Sequence, residues 1–327
     1  MIEVEKLEKT FRVARHHRGF LGAFRNLVER QSDLVRAVDG VSFRIADGEF
    51  VGFIGPNGAG KSTTIKMLTG VLEPSGGRAL VGGLEPRRDR IAHTARLGAV
   101  FGQRTQLWWD LPVIESYTLL RHVYGTPERE HREQLARLSE LLGVGALLDV
   151  PVRKLSLGQR MRCELGAALL HAPRILFLDE PTIGLDVVAK EAIREFLAAE
   201  NRERRTTILL TTHDLADIER LCPRMILIDH GRVVYDGSVD DVRRTVTAER
   251  RLSVDFETDA PAGGLPDGAQ LEERARTRLV IRFDRDRIPA ARLIAWLAER
   301  APIADLTLEE TPIERIVAEL YRRSAER

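Results

Sequence analysis

Apolar and polar positions follow two different rhythms along this chain. The segment IEVEKLEKTF (2–11) alternates, which predicts a strand with one buried face. Strand character returns in AVDGVSFRI (37–45), ahead of a turn at Asp47-Gly48-Glu49. FVGFIG (50–55), RILFLDE (174–180), TTILLTT (206–212) and RMILID (224–229) are instead short, nearly continuous apolar runs. Such runs suit strands covered on both faces of a parallel sheet. Helical segments separate them: KSTTIKMLTG (61–70), most of 112–172, then 187–200 and 214–221. Strands alternating with helices predict a wound α/β sheet.

Two stretches break this order. Residues 12–36 read as an insertion, with Arg12, Arg15, His16, His17 and Arg18 followed by Phe20, Leu21, Phe24, Leu27 and Val28. The five apolar residues recur at helical spacing, so a short amphipathic helix is expected near 20–30. Its stripe suits either the domain's own β subdomain or anionic lipid headgroups.

Past about residue 245 the pattern changes again. RLSVDFET and RLVIRFD alternate around the loop PAGGLPDGA, and a helix (288–299), a strand (303–309) and a last helix follow. That helix opens on Thr311, Pro312, Ile313 and Glu314, a capping box with Pro at its first position. The expectation is a main domain over 1–243 and a small α+β domain over 244–327. In the last helix Ile313, Ile316, Val317 and Leu320 share a face, to be buried in its own domain or against a second copy. No residue set there suggests chemistry.

Composition narrows the classes. With 43% hydrophobic and 30% charged residues in 327, the chain has the balance of a soluble globular protein. A net charge of +1 provides no global field for nucleic acid, and none is expected as a partner. Of 50 basic residues, 44 are Arg, first of all a codon-composition effect. Cys163 and Cys222 lack metal-ligand spacing and fit a reducing compartment. No stretch is long enough to span a bilayer and no signal peptide is apparent, so any membrane role is expected from the cytoplasmic side through partners.

Chemistry enters with GPNGAGKS: Gly55, Pro56, Asn57, Gly58, Ala59, Gly60, Lys61 and Ser62, followed by Thr63. It follows a buried strand and opens a helix, the context a P-loop requires. Glycines let successive N–H groups curl toward phosphate oxygens, and the helix N-terminus adds positive charge. Lys61 is expected to reach the β and γ phosphates of ATP, and Ser62 to ligate Mg²⁺. Asp179 and Glu180 end a central strand beside that loop. A plain helix cap is the bland alternative; the chemical reading makes Asp179 a Mg²⁺ holder and Glu180 the general base.

With LSLGQRM (155–161) upstream of DEPTIGLD (179–186), the sequence resembles ATP-binding-cassette (ABC) ATPases over about residues 1–240. The ordered set is GPNGAGKS, Gln103 in VFGQ, LSLGQ, ILFLDE, Asp186 in GLD and His213 in TTHD. The resemblance implies a P-loop cassette with a parallel-sheet core, an antiparallel β subdomain and a helical subdomain over about 104–172. It implies that Phe11 stacks on adenine, and that Ser156, Gly158 and Gln159 close over the γ-phosphate held by a second copy. Helix 159–170 would aim its dipole at that phosphate. It further implies that Asp186 acts across the dimer, that His213 contacts the γ-phosphate, and that Gln103 senses Mg²⁺. Leu157 departs from the pattern, standing where the family usually has Gly.

QRTQLWWDLP (103–112) occupies the region that, in this family, receives a cytoplasmic helix of the permease. Trp108 and Trp109 would serve as anchors there, the alternative being that they fill the subdomain core. Insertion 12–36 could also lie against such a permease. The whole pattern most resembles ATPases paired with separate ABC-2-type permeases, including drug and antibiotic exporters, acting as a homodimer. A glycan or lipid exporter is the alternative within the family; a soluble cassette acting on ribosomes or DNA is the alternative outside transport. For the C-terminal domain, a tether between cassettes and a passive lid both remain open.

Overall fold

A computed structural model of the chain describes residues 1–14, 32–102, 104–246, 249–310 and 313–325. Two compact units divide between Gly237 and Ser238. The first runs β1 (Ile2–Ala14), β2 (Ser32–Ile45), β3 (Phe50–Ile54), α1 (Lys61–Leu68), β4 (Gly76–Val81), α2 (Arg90–Thr94) and β5 (Leu97–Phe101). It continues with α3 (Val113–Tyr124), α4 (Glu128–Leu142), α5 (Leu157–Leu169), β6 (Ile175–Asp179), α6 (Val187–Arg204), β7 (Thr207–Thr211), α7 (Leu215–Leu221), β8 (Arg224–Asp229) and β9 (Arg232–Ser238).

The apolar runs become the middle of a six-stranded sheet of order β5-β6-β7-β3-β8-β9, parallel from β5 through β8. Every residue of β3 and β7 is buried, as expected for strands covered on both faces. The alternating segments form a separate antiparallel sheet, β2-β1-β4. β1 and β2 pair from Ile2↔Ile45 to Ala14↔Ser32, so the inserted segment leaves and re-enters at the end of a hairpin. The helix expected near 20–30 lies outside the described residues. Ile2, Val4 and Leu7 of the hairpin share one core with Val51 and Phe53 of β3 and with Ile65 and Leu68 of α1.

Helices α3, α4 and α5 make the helical subdomain. Tyr117 is fully buried between α3 and α5, and its hydroxyl donates to the Cys163 carbonyl at 2.8 Å. Gly166 makes room for it, since a Cβ there would lie 2.4 Å from the phenol oxygen.

The second unit comprises α8 (Val239–Val246), β10 (Glu249–Phe256), β11 (Ala269–Arg274), β12 (Arg278–Asp284), α9 (Ala290–Ala298), β13 (Ile303–Glu310) and α10 (Ile313–Ala325). Its antiparallel sheet has the order β11-β12-β10-β13. Leu252, Val254, Ile281 and Phe283 pack with Leu293 and Leu297 of α9. The apolar face of α10 is covered within one chain: Ile313 and Ile316 are fully buried and Val317 nearly so, with α8 as a packing neighbour. Leu320, the fourth residue of that face, is half-buried. Thr311 and Pro312 of the expected capping box lie outside the described residues.

Candidate active site

The P-loop connects the end of β3 to α1, and two of its glycines are set by close approach. A Cβ at Gly55 would lie 2.4 Å from the Ile228 carbonyl oxygen of β8. At Gly60, φ is 107° and a Cβ would lie 2.4 Å from the Ala37 carbonyl oxygen of β2. Pro56, Asn57 and Gly58 are exposed, while Ala59 and Gly60 are buried. Lys61 is 5% exposed, and its Nζ donates to the carbonyls of Gly55 at 2.6 Å and Pro56 at 3.1 Å. Burial lowers its pKa, opposed by Glu180 and then by Asp179. Ser62 and Thr63 follow, both half-buried in the first turn of α1.

Strand β6 brings the carboxylates to this loop. Asp179 Oδ1 accepts from Ser62 Oγ at 3.0 Å and from Thr211 Oγ1 at 2.6 Å. Glu180 has a left-handed backbone, φ 55°, costly for a side chain with a Cβ. The turn is held by its N–H donating to the Thr211 carbonyl at 3.0 Å. Gly102 accommodates the same turn, because a Cβ there would lie 2.4 Å from the Glu180 carbonyl oxygen. Glu180 Oε2 lies 3.7 Å from Nδ1 of His213, which is 56% exposed against 22% for Glu180. Ser62 and Asp179 offer hydroxyl and carboxylate oxygens together. That donor chemistry fits Mg²⁺, which takes one or two protein oxygens and completes its shell with phosphate and water.

A buried polar network, unread in the sequence, supports the loops around Glu180 and His213. Asp217 is fully buried, and its carboxylate accepts from Thr182 at 2.7 Å, Thr212 at 2.9 Å and Arg194 at 2.6 Å. Lys190 donates to Asp214 at 2.6 Å. Burial opposes ionisation of Asp214, but Lys190 and Arg194 hold its carboxyl below the usual range. Thr211, which bonds Asp179, also escaped the sequence reading; a threonine ending a buried strand beside an acid was the available signal.

Helix α5 starts earlier than position 159. Ser156 is its N-cap, Leu157 and Gly158 lie in the first turn, and Gln159 is the third residue. Ser156 Oγ accepts from the Gln159 N–H at 3.2 Å, and Gln159 Oε1 accepts from the Ser156 N–H at 2.9 Å, a capping box. A Cβ at Gly158 would lie 3.1 Å from Ala189 Cβ, and Leu157 Cδ2 would lie 3.0 Å from one at Gly184. Asp186 caps α6, its carboxylate accepting from the Ala189 N–H at 2.8 Å. Phe11 is partly exposed on β1, with Lys9 Nζ 5.3 Å from its ring centroid. It pairs with Val35, two residues from the Ala37 that abuts Gly60. Gln103 lies outside the described residues.

Trp108 and Trp109 are 43% and 49% exposed, and Leu111 is exposed beside them. Leu107 alone of that group is buried, so the tryptophans do not fill the subdomain core.

Residues 38–183 match the family model described as ABC transporter. The ABC transporter ATP-binding protein NatA of Bacillus subtilis (strain 168) is 33% identical over 216 residues, 66% of this chain and 87% of that protein. This chain belongs to the ABC transporter ATP-binding family. The Nod factor export ATP-binding protein I of Burkholderia pseudomallei (strain K96243) is 38% identical over 64% of this chain and 69% of its own length. A solved ATP-binding cassette, dimeric and in a post-hydrolysis state bound to ADP and Pi, superposes with a TM-score of 0.60 at 25% identity. That alignment covers 73% of this chain and 99% of the other. The P-loop fold and the ATPase class follow, and ATP is the substrate of this cassette. Among the described residues, no helix of the ATPase is long and apolar enough to cross a membrane.

Proposed function

We propose that this ATPase powers an ABC-2-type exporter, as a homodimer that closes on ATP and acts on separate permease subunits at the cytoplasmic face of a membrane. The observation that carries the hydrolytic half is the meeting of Ser62 and Asp179 at 3.0 Å beside Glu180. Lys61 and the P-loop N–H groups bind the β and γ phosphates. Ser62 and Asp179, with Gln103, would hold Mg²⁺, which supplies charge neutralisation on those phosphates when bound. Glu180 takes the proton of the attacking water as its oxygen bonds to the γ-phosphorus and the bond to the β–γ bridging oxygen breaks. His213 orients the transferred phosphoryl group, and Phe11 stacks on adenine.

Dimer action draws support from Ser156, exposed at the start of α5. Asp186 would act across the same interface. Permease docking draws support from the exposed Trp108, Trp109 and Leu111. Similarity to the Nod factor export ATP-binding protein I supports export as the direction.

Complementation tests the shared site. Lys61→Ala and Ser156→Arg subunits are each expected to be inactive alone. Mixed, they regain partial ATPase activity, because one intact composite site forms per heterodimer. Ser156→Arg homodimers turning over at the wild-type rate would remove the signature from the site. Copurification of the tagged ATPase with a six-helix membrane protein tests the transport half.

Truncation after Ser238 is expected to leave ATP affinity unchanged, since every nucleotide-binding group lies upstream. Calorimetric titration of the truncated and full chains checks this. Lost affinity would make the second unit part of the site.

A further inference from the structure

Arg160 and Glu164 stand four residues apart on α5, on one helix face. Both reach residues 105–109, the segment ending in the two tryptophans. The Arg160 guanidinium carbon lies 5.7 Å from the centroid of the Trp109 ring. The Glu164 carboxylate accepts from the Thr105 hydroxyl, and from the Gln106 N–H at 3.2 Å. The Glu164 backbone carbonyl accepts from Gln106 Nε2, also at 3.2 Å. Thr105 Oγ1 in turn accepts from the Leu107 N–H at 3.1 Å.

Glu164 is only 4% exposed. Its helix otherwise buries Met161, Cys163, Leu165, Ala167 and Ala168. Burial raises its pKa, against the bonds from Thr105 and Gln106 and the charge of Arg160. A buried acid in an apolar helix is costly unless its bonds are made, and these bonds go to a loop rather than to the helix. The loop is fixed on its other side as well. The Trp108 N–H donates to Ser116 Oγ of α3 at 3.0 Å, and the Trp109 carbonyl accepts from the Arg153 N–H at 3.0 Å.

We propose that Glu164 and Arg160 are positioning residues that carry Trp108 and Trp109 with α5. Movement of the Ser156 end of α5 onto a partner's nucleotide then reaches the tryptophan pair directly. This rests on the reading of Ser156 as a phosphate contact.

The chain has three tryptophans, so Trp296→Phe leaves Trp108 and Trp109 as the fluorescent reporters. In that background, with Glu180→Gln holding ATP, nucleotide is expected to shift tryptophan emission. Glu164→Ala and Arg160→Ala are expected to lose most of the shift while binding ATP within about twofold of the parent, since neither side chain touches a group assigned to nucleotide. Glu164→Gln still accepts from Gln106 and bonds Thr105, and is expected to restore the shift. Should Glu164→Ala fail to fold, Arg160→Ala and Thr105→Val carry the test from less buried positions. A full parental shift in the folded variants overturns the coupling, as does a parent that binds ATP without any shift. Ser156→Arg separates the two readings. If it keeps the full shift while Glu164→Ala loses it, the signature assignment fails and the coupling stands.

Discussion

Glu180→Gln is expected to lower ATP turnover about 10²–10⁴-fold while leaving ATP affinity near that of the wild type. The reason lies in the geometry at the end of β6. Glu180 is held in a left-handed backbone by the Thr211 carbonyl, and Gly102 makes room for the turn. Gln has the same shape and imposes the same strain, so the loop, the Ser62–Asp179 pair and Lys61 stay in place. Only the ability to take a proton from water is removed. The variant is expected to accumulate an ATP-bound dimer, seen by size-exclusion chromatography with ATP and absent with ADP. Single-turnover measurements separate the chemical step from product release. A chemical rate near that of the wild type would eliminate Glu180 as the base and shift attention to His213, 3.7 Å away.

The site was legible where its chemistry is written in contiguous backbone. GPNGAGKS announces a loop because each glycine is a geometric demand, and Gly55 and Gly60 each leave no room for a Cβ. The buried runs likewise gave the central strands within a residue or so, since a strand covered on both faces has only apolar choices. Short and mixed strands were not legible. β5, LGAVF, has two residues without much side chain, and β11, AQLEER, carries three charges yet pairs with β12 from Ala269↔Phe283 onward. Helix α8 was readable: the three valines of VDDVRRTV fall at i, i+3 and i+7, a helical stripe, but over only eight residues, five of them polar or charged. The start of α5 was readable and was misplaced: Ser156 and Gln159 are a capping-box pair three residues apart. The contacts of Asp217 and Glu164 could not be read, because their partners lie on other elements. Thr182, Arg194 and Thr212 meet at Asp217 only once α6 and α7 pack.

Gly60→Ala is expected to cost roughly 2–5 kcal/mol of stability and to weaken ATP binding at least about tenfold, from strain and overpacking together. The new Cβ would lie 2.4 Å from the Ala37 carbonyl oxygen, a backbone atom in a strand that cannot swing aside. The backbone at Gly60, φ 107° and ψ 1°, is also one that alanine avoids. Either the P-loop moves off β2 or β2 moves off β1, and both displace the start of α1, where Thr64 N–H donates to the Gly60 carbonyl at 2.9 Å. Gly58→Ala is the internal control. Its φ is also positive, 83°, but nothing lies within 4 Å of a Cβ there. That change is expected to cost only about 1–2 kcal/mol of backbone strain. Thermal unfolding of the two variants, with and without ATP, measures the difference. Equal losses at both positions would mean that φ alone governs the loop. A much larger loss at Gly60 would establish that the approach of β2, the strand that returns from the inserted segment, fixes the phosphate-binding loop in place.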